Sequence, residues 1–369
     1  MSSRPLIAIL LAAVLSARAA TPDEVARFLA GLPMHKTSLE EVAANPVWVR
    51  HAMEFDDAWK KLESKQLARI KAWAPEALAP QYEERGNVFY FFSGPDFLYA
   101  QALWPNAENY VLVAREPVGT MPEPEKLPRD QVGPALENLR KTLNAVLSFS
   151  FFITQDMKTD LNHQQLNGTL PVILLFASRA GCRIESVDFV GLDSAGAITA
   201  GKPATRGVKI GCFGPHGRPQ NIYYFEADLG DWVLKKNDAV LKFCTSLGRG
   251  SSLLKAASYL MHEGGFEIVR EYVLKNSDLL VEDDSGVPWR YFDRNKWQLR
   301  LCGRYPGPIN TFKQHHQPDL AQAYAQANPL PMGFSFGYRW VPSESGLLLA
   351  RPKEEMRTSN TQRPTSNVQ

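Results

Sequence analysis

The chain has 369 residues, 44% of them hydrophobic and 22% charged, enough apolar material for one large folded domain or two smaller ones. With 41 basic against 39 acidic side chains, its net charge of +2 gives no electrostatic footprint for a polyanion, so no nucleic-acid partner is expected.

At the N-terminus, Arg4 precedes an uncharged apolar run from Pro5 to Leu15, and Ala17-Arg18-Ala19 follows with the small-x-small pattern that signal peptidase reads. The run is shorter than the about 20 residues that span a hydrocarbon core. Residues 1–20 are therefore expected to be a cleaved signal peptide. The mature protein is expected to be secreted or periplasmic, with no transmembrane segment after cleavage. Four cysteines remain: Cys182, Cys212, Cys244 and Cys302. An oxidising compartment allows one or two disulfides among them, in pairings the sequence does not choose, and four buried free thiols fit a chain of this length nearly as well.

Taken in order, Thr21-Pro22-Asp23-Glu24 has capping-box spacing and predicts a first helix. Ser38 and Glu41 repeat that spacing, and Pro46 opens another helical stretch. Residues 21–80 read as an N-terminal helical layer, with Trp48, Met53, Phe55, Trp59, Leu67, Ile70 and Trp73 as packing groups. The stretch from Asn87 to Gly119 organises the rest. Strand Val88 to Phe92 turns at Ser93-Gly94-Pro95-Asp96 into a short helix ending near Trp104. Pro105 stops it, and a second strand, Tyr110 to Ala114, ends at Arg115-Glu116. This is a strand-helix-strand unit, the building block of a parallel sheet.

A proline-rich linker, Thr120 to Arg129, leads to a helix that Asp130 can cap, with Val132, Leu136, Leu139, Leu143 and Val146 on one face. Ser148 to Ile153 fits either a strand or the end of that helix. Leu170 to Ala177 is expected to be helical and Cys182 to Leu192 a strand. Val208 to Phe213 and Ile222 to Phe225 read as a hairpin. Helices are expected over Trp232 to Ser246, from Ser251 onward with Leu253, Ala256, Ala257, Leu260 and Met261 buried, and over Phe266 to Lys275. Strand Asp278 to Val281 enters the acidic turn Glu282-Asp283-Asp284. A strand over Trp297 to Cys302, a helix over Pro318 to Ala327 and a last strand over Gly333 to Trp340 complete the reading.

The fold class is α/β: a mixed sheet with strand-helix-strand units, the first of them Rossmann-like, and an N-terminal helical layer. Residues 21–350 are expected to form one compact domain, divisible into lobes at 21–120 and 130–350. Residues 351–369 are too polar to bury surface and are expected to be a disordered tail.

Candidate sites follow from that order. Ser93 and Asp96 lie between a strand and a helix, and Glu116 comes 22 residues after Gly94. The unit resembles the first half of a Rossmann-type nucleotide or S-adenosylmethionine domain. It lacks G-x-G, and Pro95 and Asp96 stand where backbone would approach a phosphate, so no cofactor is expected. The bland alternative is a structural turn in which Asp96 caps the helix.

The other motifs carry less. Gly248-Arg249-Gly250-Ser251-Ser252 before a helix would be an anion site or a capped turn. His315-His316 with Asp319 would make a poor metal site, since adjacent side chains seldom face one ion, and none is expected. Cys244 with His216 would make a poor nucleophilic pair, since Cys244 falls inside a predicted helix. The acidic turn is the most suggestive motif. Asp283 and Asp284 are followed by Trp289, Arg290 and Tyr291, and carboxylates beside aromatic rings suit a sugar or a cationic ligand.

Strands joined by helices send their carboxyl ends to one edge of the sheet, where Ser93, Asp96, Glu116 and the Glu282-to-Tyr291 loop are expected to meet. The expected function is binding of a small molecule or glycan, with Ser93, Asp96, Trp289 and Tyr291 as ligand contacts. The alternative is a hydrolase of cell-envelope or extracellular polymers acting through Asp283, Asp284 and Glu116. No catalytic signature in the sequence decides whether the protein is an enzyme.

Overall fold

Five apolar runs of five to eight residues form the parallel heart of the structure, a computed structural model that describes residues 19–148, 166–199 and 202–353. They are β1 (Asn87–Phe91), β2 (Asn109–Ala114), β6 (Pro219–Glu226), β7 (Gly250–Leu254) and β8 (Ser277–Glu282). Between β2 and β6 the chain adds β3 (Arg183–Leu192), β4 (Ile198–Thr199) and β5 (Thr205–Phe213), and after β8 it adds β9 (Trp297–Gly303) and β10 (Gly346–Pro352). The result is a mixed α/β protein with one ten-stranded sheet in the order β4-β3-β5-β6-β2-β1-β7-β8-β10-β9. From β6 to β8 all neighbours are parallel, and both flanks are antiparallel. Strands from both expected lobes share this sheet.

The parallel strands read as near-continuous apolar runs because both of their faces are covered. On one face, Tyr90, Tyr110, Leu112, Tyr224, Leu253 and Val281 pack in one cluster with Val25, Phe28, Phe55 and Ile70, from helices Pro22–Leu29, Pro46–Leu62 and Ala68–Ala77. On the other, Phe91, Val113, Phe225, Leu254 and Leu280 pack with Phe243 and Val269, from helices Ala239–Leu247 and Glu267–Asn276.

Several local readings are realised. The Thr21 backbone N–H donates to Glu24 Oε2 at 2.8 Å while the Glu24 N–H donates to Thr21 Oγ1 at 3.2 Å, the reciprocal capping box. Helix Phe97–Leu103 follows β1, Leu170–Ala177 lies in a helix that runs to Arg179, and β5 and β6 form the hairpin.

Other readings are overturned. Gly250–Leu254 is a central strand, not the start of a helix. A strand buried on both faces shows no alternation, and Leu253, Ala256 and Leu260 happen to fall at helical spacing. A Cβ on Gly250 would meet the Asn87 carbonyl oxygen at 2.3 Å, so only glycine lets β1 and β7 approach there. Gly333–Trp340 alternates as a strand should, but Ser335 N–H donates to Gln66 Oε1 and Phe336 N–H to Ser345 Oγ, so side chains take the backbone bonds a ladder would use. The last strand is β10 instead.

Ser38 caps no helix; its hydroxyl donates to Glu24. The helix expected over Trp232 to Ser246 breaks into Asp231–Leu234 and Ala239–Leu247. Met53 is 66% exposed rather than packed. Arg351 and Pro352, expected at the head of the tail, pair with Gln298 and Trp297, and the Arg351 guanidinium donates to the Ala77 and Ala79 carbonyls. Residues 1–18, 149–165 and 354–369, which include most of the expected signal peptide, nearly all of Ser148–Ile153 and the bulk of the tail, lie outside the described residues. All four cysteines are buried free thiols. No helix among the described residues is long and apolar enough to cross a membrane.

Candidate functional site

Parallel strands deliver the residues that follow β1, β2, β6 and β7 to one edge of the sheet. There they line a crevice of about 520 Å³, with Ser93 after β1, Glu116 after β2, Asp228 after β6 and Lys255 after β7. Two non-glycine residues at this edge have left-handed backbone, Phe92 and Ala256, each with φ of 60°. Such conformations cost about 1–3 kcal/mol apiece and persist where the surroundings impose them, typically at functional sites.

The floor is a buried charge cluster. Lys255, whose side chain is 1% exposed, places Nζ 2.6 Å from Asp96 Oδ2 and 3.9 Å from the centre of the Tyr99 ring. The Tyr90 hydroxyl donates to the same Asp96 oxygen at 2.9 Å. The other Asp96 oxygen accepts the Tyr99 N–H at 3.4 Å, so Asp96 also caps helix Phe97–Leu103, as the bland alternative expects. Burial, with Asp96 beside it, pushes the Tyr90 phenol well above its usual range.

Aromatic rings form the walls. Phe312 stacks on Tyr259 with centroids 4.3 Å apart and on Tyr338 at 5.5 Å. Phe92 meets Phe266 edge-on at 6.0 Å on another side. At the mouth stand Trp232 and Leu260, 67% and 39% exposed. The polar rim carries Arg115, 3.4 Å from Asp228; Glu116; and Glu263, 3.7 Å from His315.

Ser93, Asp96 and Glu116 thus meet in one crevice, while the acidic turn does not open into it. Asp283, at the same edge after β8, is buried and spoken for. Its Oδ2 accepts the Ala256 N–H at 2.9 Å, and its Oδ1 accepts the Ser285 N–H at 2.9 Å and the Ser285 hydroxyl. Asp284 accepts the Tyr259 hydroxyl at 2.8 Å and has Arg339 at 3.5 Å. Asp283, Asp284 and Trp289 line a separate cleft of about 20 Å³, room for about one water molecule and not for a sugar ring. Tyr291 lines neither space; the guanidinium carbons of Arg270 and Arg290 lie 4.2 and 5.0 Å from its ring centre. The expected contact of Asp283, Trp289 and Tyr291 with Glu116 is therefore not made. The acidic turn folds inward to tie down backbone.

Burial dominates the ionisation of that turn. It pushes Glu282 well up and raises Asp283, against the hydrogen bonds from Ser285 and Ala256 and the nearby Lys255 charge. Asp284 rises from 3.8 to about 7, first through burial and then through Asp283 beside it, with Arg339 pulling back. The folded state then holds a proton that the unfolded chain has lost, so this contribution to stability is full below about pH 4 and disappears as pH climbs towards 7. His262 and His51, both lowered by burial to about 4, act in the opposite sense up to pH 6.5. Comparing wild type with Asp284→Asn isolates the carboxyl. In denaturant titrations from about pH 4 to pH 8, wild type should lose stability relative to the variant by up to about 1.4 kcal/mol per pH unit. A pH-independent difference would mean that Asp284 stays ionised.

Sequence reading missed Lys255, which it placed inside a helix, and the rings from distant loops, Tyr259, Phe312 and Tyr338. No local signal marks that strand: Gly250–Leu254 holds two serines and lacks the β-branched or aromatic run that announces one. The remaining motifs find no further support as sites of their own. Gly248–Gly250 leads into a strand and offers no helix N-terminus. Cys244 is buried and its thiol is pushed far up by burial. Among the described residues, no group of three or more His, Cys, Asp or Glu could hold a metal ion. No protein-family model matches the chain, and no curated protein and no solved structure is significantly similar to it.

Proposed function

We propose that this chain is an exported ligand-binding protein whose site is the crevice at the carboxyl edge of the parallel strands. The observation that supports this most is where the crevice lies. Chain order runs outward from β1 in both directions, through β2 and β6 on one side and β7 and β8 on the other, and the crevice opens over that reversal. In this reading the parallel strands form a Rossmann-like unit, the N-terminal helices are a covering layer, and the ligand takes the place that doubly wound sheets reserve for one. The volume falls within the roughly 300–1,000 Å³ of small-molecule sites, and apolar walls with a few convergent polar groups are their usual lining. Export rests on Arg4, the run Pro5 to Leu15 and Ala17-Arg18-Ala19.

A nucleotide is a poor candidate, because Asp96 fills the helix terminus where a phosphate would sit. The hydrolase alternative through Asp283, Asp284 and Glu116 has less support, because the first two face a space the size of a water molecule.

The test is a thermal-shift screen of the mature protein against small metabolites and short glycans, repeated on Leu260→Trp, which narrows the mouth at an exposed position. A ligand at 100 times its Kd should add about 2.7 kcal/mol to wild-type stability and much less to the variant. Shifts that survive Leu260→Trp unchanged would place binding elsewhere and end this reading. N-terminal sequencing of protein from its host should begin at Ala20 or Thr21; an intact Met1 in the soluble cytoplasm would remove export from it.

A further inference from the structure

Resting on the crevice as the ligand site, we infer that its ligand is an organic cation carried on an apolar or aromatic body. The charges of the lining point this way. Four carboxylates line the crevice, Asp96, Glu116, Asp228 and Glu263, against two permanently charged bases, Arg115 and Lys255, and the imidazole of His315.

Lys255 and Arg115 each already face a carboxylate. Lys255 is held by Asp96 at 2.6 Å and covered by the Tyr99 ring, and Arg115 lies 3.4 Å from Asp228. An anionic ligand would have to break the buried Lys255–Asp96 pair or compete with Asp228 for Arg115, whose side chain is 71% exposed. Two carboxylates remain. Half-buried Glu116 has no ion-pair partner among the described residues, and Glu263 faces only His315, at 3.7 Å, which carries charge only when protonated. The crevice they share is walled by the Tyr338, Phe312 and Tyr259 rings, with Phe92, Phe266 and Trp232 also in its lining. Aromatic faces carry negative quadrupole potential and attract ammonium groups, most strongly when the cation is withdrawn from water. A crevice with more carboxylates than permanently charged bases, and with aromatic walls, favours a cation over an anion of the same shape.

The test compares three probes that share a benzyl body, by isothermal titration calorimetry on the mature protein: benzyltrimethylammonium, its neutral carbon isostere neopentylbenzene, and benzylsulfonate. The cation should bind at least about tenfold more tightly than the isostere, and the sulfonate should not bind. Glu116→Gln with Glu263→Gln, at partly exposed positions, should weaken the cation by about threefold to tenfold and leave the isostere unchanged. Added salt should narrow the gap between cation and isostere. Equal binding of cation and isostere, or preferential binding of the sulfonate, would overturn the cation inference and leave the crevice as a ligand site. If no probe binds while the metabolite screen still yields Leu260→Trp-sensitive ligands, the cation inference falls alone.

Discussion

Lys255→Met should lower stability by about 3–5 kcal/mol, among the largest effects of any single exchange in this protein. The side chain is almost entirely enclosed, and its ammonium is the only base among the described residues in ion-pair contact with Asp96, itself 2% exposed. Removing it leaves a buried carboxylate whose other partners are the Tyr90 hydroxyl and the Tyr99 N–H. Those hydrogen bonds do not neutralise its charge. Adding Asp96→Asn to Lys255→Met should return a large part of the loss, because an amide carries no charge: its oxygen can still accept the Tyr99 N–H, and its NH2, in place of Oδ2, can donate to the Tyr90 hydroxyl. Equilibrium denaturation of the two singles and the double gives the coupling between the residues. A coupling near zero would show that the pair is solvated in solution and that the crevice floor is wetter than the structure has it. Strong coupling, with ligand binding lost in the double variant, would tie the floor to the site as well as to the fold.

Asp283→Ala should cost about 2–4 kcal/mol. The residue bridges two turns. It accepts from Ala256, which has left-handed backbone, and from the N–H and hydroxyl of Ser285, so its removal orphans buried donors and releases a strained residue. Gly337 closes against it from a third segment: φ is +61°, and a Cβ there would meet Asp283 Oδ2 at 1.9 Å. Gly337→Ala should therefore destabilise through the same contact, and its effect should shrink in the Asp283→Ala background. The measurement is urea denaturation of both singles and the double. A loss within about 0.5 kcal/mol for Asp283→Ala would show it to be a solvated surface carboxylate instead. Because Asp283 supports Ala256, next to Lys255, the variant should also bind crevice ligands more weakly.

The parts of this protein that the sequence determined by itself are those whose causes lie within a few residues. The Thr21 capping box, the helix start at Pro46, the turn at Ser93 to Asp96 and the hairpin between β5 and β6 each depend on local dihedrals and on side chains that reach their own backbone. Even the meeting of Ser93 with Glu116 followed, because one strand-helix-strand unit fixes its own handedness and sends both strand ends the same way.

Tertiary structure decided the rest, because the causes lie far apart in the chain. Gly250–Leu254 is a strand because β1 and β8 supply its ladders on both sides, and the partner of Gly250 on one side is Asn87. The same five residues, taken alone, satisfy a helix equally well. The acidic turn after β8 reads as a solvated, reactive surface until Ala256 and Gly337 close over Asp283. Trp289 and Tyr291 follow it in sequence but turn away from the crevice, while Phe312 and Tyr338, far along the chain, become its walls. A carboxylate's role depends on which donors reach it and how much water remains around it. Both are properties of the packed structure, and neither is written in the spacing of residues along the chain.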